Sequence, residues 1–124
     1  MWKTQQQADT FNRCLDGAKQ TGFNGCITYA NKADADKACA TLVPTIDEAY
    51  ELTAHQGKVY AEVNQEYMSE PRLRVTGFLE AIIDTNPVSA EFEAEGEDGE
   101  QYQIHFESGK WVLLQRPYNF TEVA

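Results

Sequence analysis

From Val88 to Leu114 the hydrophobic pattern repeats every second residue, and nothing else in the chain narrows its fold as much. Val88, Ala90, Phe92 and Ala94 alternate with Ser89, Glu91, Glu93 and Glu95, and Tyr102, Ile104 and Phe106 alternate with Gln101, Gln103, His105 and Glu107. Successive side chains of a strand point to opposite faces, so each run carries one apolar and one polar face. Gly96-Glu97-Asp98-Gly99 divides the two runs, and Ser108-Gly109 divides the second from Trp111-Val112-Leu113-Leu114. A two-residue turn ending in glycine reads as a primed hairpin turn, where glycine takes the positive φ. The pattern predicts an antiparallel meander with one face against a core.

Pleat parity carries this reading to individual pairs, because the apolar residues of neighbouring strands must share a face. The first turn sets Glu91 opposite His105 and Glu93 opposite Gln103, or, shifted by two, His105 opposite Ser89 with Glu91 as its diagonal neighbour. The Ser108-Gly109 turn pairs Glu107 with Lys110, which puts Phe106 opposite Trp111, His105 opposite Val112 and Gln103 opposite Leu114. The polar face then bears Glu91, Glu93, Glu95 and His105, but also Val112 and Leu114. Two adjacent aliphatics on a polar face call for a cover: a helix of this chain, a second copy, or a partner.

Upstream, the period suits helices. Ala8, Phe11, Leu15 and Ala18 recur at helical spacing before Gly22. Cys26-Ile27-Thr28-Tyr29 reads as a short strand or a buried connector, and residues 32–43 read as a second helix that stops at Pro44. Thr45-Ile46-Asp47-Glu48 has the spacing of a capping box. It predicts a third helix burying Ile46, Ala49, Tyr50 and Leu52, with His55 near its carbonyl end and Gly57 as its stop. After Gly57, Val59, Val63 and Tyr67 fit a helix face while Val59, Ala61 and Val63 fit a strand face; the glycine break and the β-branched residues that follow favour the strand. Leu73, Val75, Leu79, Ala81 and Ile83 are read as another, bulged at Gly77, before a turn at Asp84-Thr85-Asn86-Pro87. The 124 residues therefore predict a single α+β domain spanning 1–124. Its N-terminal helices pack on a C-terminal antiparallel β-meander of about four to five strands.

Helices ahead of a curved meander, with Gly109-Lys110-Trp111 near the last strand, give the C-terminal part an order that resembles cystatin-like and NTF2-like folds. That resemblance implies an arrangement of layers and brings no site residue with it. In composition alone the chain is similar to small acidic antitoxin, immunity and anti-restriction inhibitors.

Charge bears on function. Twenty acidic and ten basic side chains give a net charge of −10. Residues 58–124 hold thirteen acidic against five basic side chains, or −8, whereas residues 1–57 hold seven against five. A phosphate backbone requires a basic patch, and the only local cluster, Arg72-Leu73-Arg74, reads as two solvated side chains on a strand. Direct nucleic-acid binding is not expected. Glu91, Glu93 and Glu95 repeat every ~6.6 Å along a strand, roughly the phosphate spacing, so the ladder also suits a basic groove on a partner.

Other chemistry is sparsely encoded. No apolar run reaches the ~20 residues that span a bilayer, and the N-terminus is polar after Trp2, so no membrane partner and a cytoplasmic location are expected. Cys14, Cys26 and Cys39 form no C-x-x-C pair, and His55 and His105 lie 50 residues apart, so no metal and no organic cofactor is called for. Glu91 and His105 make the one acid–base pair, without a nucleophile placed beside it.

Two functions follow as expectations. The first is a non-catalytic, inhibitor-like or immunity-type interaction protein. Its binding face is Glu91, Glu93, Glu95, His105, Val112 and Leu114, meeting a basic protein partner or a second copy in a dimer. The alternative is a small-molecule-binding or weakly catalytic domain. Tyr29, Tyr50, Tyr60, Tyr102, Phe92 and Trp111 would then line a pocket between helices and sheet.

Overall fold

The computed structural model describes residues 2, 4–16, 20–45, 50–63, 75–96, 99–116 and 121–124. In order they form α1 (Gln5–Phe11), β1 (Gln20–Thr28), α2 (Lys32–Leu42), β2 (Tyr50–His55), β3 (Lys58–Val63), α3 (Val75–Ile83), β4 (Ser89–Gly96), β5 (Gln101–Glu107), β6 (Lys110–Gln115) and β7 (Thr121–Glu122). The class is α+β. The strands make one antiparallel sheet in the order β2-β3-β1-β4-β5-β6-β7.

Local chemistry starts the first two helices. The Thr4 hydroxyl accepts the Gln7 N–H at 3.1 Å, and the Asn31 side chain accepts the Asp34 N–H at 2.8 Å, each satisfying a donor that the first turn leaves free. α1 runs on into a wider π turn over Asn12–Asp16, which keeps both Phe11 and Leu15 buried. α2 buries Ala35, Ala38 and Leu42, three to four residues apart, against β2 and β3.

The inner face of the sheet carries Phe23 and Ile27 of β1, Val59, Ala61 and Val63 of β3, Ala90, Phe92 and Ala94 of β4, and Ile104 and Phe106 of β5. Against it, Phe78 of α3 packs 4.6 Å from the Tyr50 ring and 5.9 Å from that of Phe92, while Phe23 stacks on Phe92 at 5.2 Å. Ring pairs at these separations contribute about 0.5–1.5 kcal/mol each beyond the area they bury.

Three expected elements differ. Tyr50–His55 is a strand, not the third helix. Gln56 and Gly57, at φ 49° and 84°, form a primed turn that folds it onto β3. His55 therefore ends a strand and caps no helix, while Ile46–Glu48 of the capping box lie outside the described residues. Val75–Ile83 is helix, not strand: Val75, Thr76, Phe78, Leu79 and Ile82 are its buried residues, and that spacing follows the helical period. Arg72, Leu73 and Arg74 also fall outside the described residues. Finally, Gly22 stops no helix but lies within β1, so among the described residues the sheet begins at Gln20 and has seven strands rather than four to five.

The C-terminal register holds pair for pair. Glu91 faces His105, Glu93 faces Gln103, His105 faces Val112 and Gln103 faces Leu114. Ser108 and Gly109 form the expected turn at φ 52° and 77°.

Candidate functional site

The outer face of the sheet is organised as two rows of side chains that cross the strands. In the first, Thr53, Tyr60, Cys26, Glu91, His105 and Val112 are successive partners from β2 to β6. The second sets Glu51, Glu62, Asn24, Glu93, Gln103 and Leu114 in the same way. β1 lies in the middle and contributes the two short side chains, Cys26 and Asn24. Its neighbours contribute taller ones, Tyr60 and Glu62 on β3 and Glu91 and Glu93 on β4. This difference in height leaves a groove along β1, with a cavity volume of about 560 Å³, floored by Cys26 and Asn24 and reaching Thr53 at one side and His105 at the other. A second depression of about 410 Å³ shares Asn24, Glu93 and Gln103 with the first and extends the trough toward Gln101 and Arg116.

Its electrostatics follow from the walls. Glu62, Glu91 and Glu93 put three carboxylates along the groove. His105 Nδ1 lies 3.5 Å from Glu91 Oε1, and its Nε2 lies 3.4 Å from Gln103 Oε1, so two neighbours orient the ring. The Glu91 side chain is 71% exposed, and an ion pair that open to water contributes little stability. In the next row His55, Lys58, Thr28 and Ser89 are partners, so the acidic stretch gives way to basic side chains at that end.

Chemically the arrangement is suited to holding cations. Cys26 pairs with Glu91, and Glu91 with His105, which sets the Cys26 and His105 backbones two strand spacings of about 4.8 Å each apart. Among the described residues no three His, Cys, Asp or Glu side chains gather into a metal-sized cluster, and no helix is long and apolar enough to cross a membrane.

Of the residues expected to bind, Glu91, Glu93 and His105 line the groove and Glu95 lines its extension. Val112 and Leu114 share the outer face one strand further on, half-buried. The buried apolar residues of α1, α2 and α3 all belong to the core, so these helices do not supply the anticipated cover. The ring pocket between helices and sheet is replaced by packing. Tyr29, Tyr50, Tyr102, Phe92 and Trp111 are buried in the core, and Tyr60 stands 44% exposed on the opposite face.

Sequence reasoning did not assign Cys26, Asn24 and Glu62 to a site, and it set Tyr60 in a pocket on the other face. The alternation of Lys58–Val63 already turned Tyr60 and Glu62 outward, but the central strand that joins them to Glu91 and Glu93 went unrecognised over most of its length.

Inner-side titrating groups reflect burial. Desolvation pushes the Tyr102 phenol up to about 12, and the adjoining Cys14 thiol adds to the shift. Burial also raises Tyr29, partly offset by its 2.6 Å hydrogen bond to Thr85 Oγ1. Cys39 is raised by burial, against a hydrogen bond with the Ala54 backbone.

Compared with family models, characterised proteins and solved structures, the chain has no match.

Proposed function

We propose that this chain is a non-catalytic interaction protein that receives a basic protein surface on the outer face of its sheet. One observation carries the reading: the groove along β1 is walled by Glu62, Glu91 and Glu93 in a chain of net charge −10. A negative groove attracts a positive partner over distance and speeds its encounter. A second copy is the poorer occupant, since two such faces would bring like carboxylates together. The half-buried Val112 and Leu114 beside the groove supply an apolar margin for the same contact. The reading places the protein in the cytoplasm, where the thiols of Cys14, Cys26 and Cys39 stay reduced.

Calorimetric titration of the intact chain with basic, neutral and acidic peptides, over a range of salt, tests it. Basic peptides are expected to bind at low salt and weaken as salt rises, and Glu91→Lys with Glu93→Lys should abolish the binding. Equal affinity for all three peptide classes, or no effect of the double substitution, overturns the proposal.

A further inference from the structure

The groove has a length and a polarity as well as a charge, and these specify what part of a basic partner it takes. Its two floor residues, Asn24 and Cys26, are two apart on one strand, and so are its wall residues Glu62 and Tyr60, and Glu93 and Glu91. Each row thus repeats after about 6.6 Å, the distance between alternate side chains of any extended peptide. Between the walls on β3 and β4 lie two strand spacings, about 9.6 Å, enough for a side chain to descend between them. The row of Cys26 offers the exposed Tyr60 ring on one side and the Glu91 carboxylate on the other. The row of Asn24 offers Glu62 and Glu93. One row beyond, Thr28 is flanked by Lys58, itself the partner of His55, and no carboxylate stands on either neighbour. At that end the acidic stretch closes with a positive charge, while at the other it runs on to Glu95, the partner of Gly22.

Resting on the reading that the partner is basic, we propose that the groove binds an extended protein segment with arginine at alternate positions, Arg-x-Arg, lying along β1. One arginine stacks on Tyr60 and reaches Glu91; the other lies between Glu62 and Glu93. A planar guanidinium suits both places better than an ammonium, because it stacks on an aromatic ring and pairs with carboxylates through several parallel N–H donors. A further alternate cation toward Thr28 would meet Lys58, so the motif ends on that side with the arginine that stacks on Tyr60. Cys26, on the floor beneath the first arginine, is covered when the segment binds.

The test measures peptide affinity by fluorescence anisotropy at low salt. In parallel, mass spectrometry follows alkylation of each cysteine. Short peptides of equal charge carry Arg-x-Arg, adjacent Arg-Arg, or Lys-x-Lys, with Ala-x-Ala as the uncharged control. Arg-x-Arg should bind about tenfold more tightly than Arg-Arg, since misplacing one charge-assisted contact forfeits at least that much. Lys-x-Lys should fall about threefold behind, for want of stacking on the ring. The peptides with alternate spacing should protect Cys26, Arg-x-Arg more strongly than Lys-x-Lys, leaving Cys14 and Cys39 as reactive as before. Tyr60→Ala and Glu62→Gln are outer-face changes that spare the core, and each should remove most of the preference for the alternate spacing. Equal binding of all the charged peptides, unaltered by either substitution, overturns this inference and leaves the basic-partner reading standing. Failure of every charged peptide to bind at low salt overturns both.

Discussion

Gly25 of β1 lies directly opposite Phe92 of β4, and a Cβ added to Gly25 would come within 2.5 Å of the Phe92 ring and 2.6 Å of its Cα. The same atom would also collide with the Glu91 carbonyl oxygen. Glycine is therefore required at the centre of the sheet: two backbones approach there, and an aromatic ring from the next strand covers the bare position. Neither Phe92 nor the Glu91 carbonyl can yield without shifting β4, which carries one wall of the groove.

Gly25→Ala should accordingly destabilise the protein by about 3 kcal/mol, the upper part of the usual range for overpacking, because backbone must move. Urea denaturation monitored by tryptophan fluorescence measures it. A loss below about 0.5 kcal/mol, the level of a neutral surface change, would show that the two strands part freely.

The turn between β5 and β6 offers a change of opposite sign. Ser108 sits at φ 52° and Gly109 at φ 77°. Serine tolerates that region poorly, whereas asparagine adopts it with local hydrogen bonding. Ser108→Asn is expected to raise stability by about 0.5 kcal/mol, and Gly109→Ala to lower it by about 1–2 kcal/mol. Thermal melts of both variants decide the matter, and a destabilised Ser108→Asn would contradict the assigned turn.

These two turns also show why the C-terminal half could be read in detail and the middle could not. Ser108-Gly109 joins two runs of clear alternation, so it was recognisable as a hairpin. Gln56-Gly57 has the same geometry, at φ 49° and 84°, yet its glycine passes for a helix stop after a plausible capping box. Only pairing with β3 settles Tyr50–His55 as strand. Val75–Ile83 fits both periods, since its apolar residues are dense enough to fill either template; packing against Phe23, Tyr50 and Phe92 selects the helix. β1 was hidden for another reason. Gly22, Asn24 and Gly25 have low strand preference, and hydrogen-bonded neighbours on both sides overcome it. The acidic wall on β4 was therefore visible from sequence, while the facing wall on β3 and the floor between them were not.

Stability should fall at alkaline pH. Tyr102 ionises at an ordinary 10.0 when unfolded but only at about 12 in the fold, so the unfolded chain loses its proton first. Its contribution is complete below pH 10 and is lost as pH rises toward 12. Tyr29 and Cys39 are raised as well and act in the same direction, Cys39 from the lowest starting value, 9.0. Urea midpoints should hold steady from pH 7 to about 9 and then decline. Tyr102→Phe should flatten the part of the decline between pH 10 and 12. A wild-type midpoint constant through pH 11 would show that these groups titrate freely in the fold.

Cys39 guards the free edge of the sheet. β2 is the outermost of the described strands, beyond β3, and the Ala54 N–H, on the side away from β3, donates to the Cys39 thiol of α2. An unpaired N–H on an exposed edge invites pairing with another chain, and a helix laid across the edge is one of the ways a sheet avoids it. Cys39→Val keeps the approximate size and apolar character of the side chain but removes the acceptor. It should cost about 1 kcal/mol, the net worth of one hydrogen bond, and speed hydrogen exchange at the Ala54 amide. Cys39→Ser, which restores an acceptor, should recover the slow exchange even where packing makes it less stable. If Ala54 exchanges at the same rate in wild type and Cys39→Val, the thiol is not its partner, and the edge must be protected by the bulk of α2 alone.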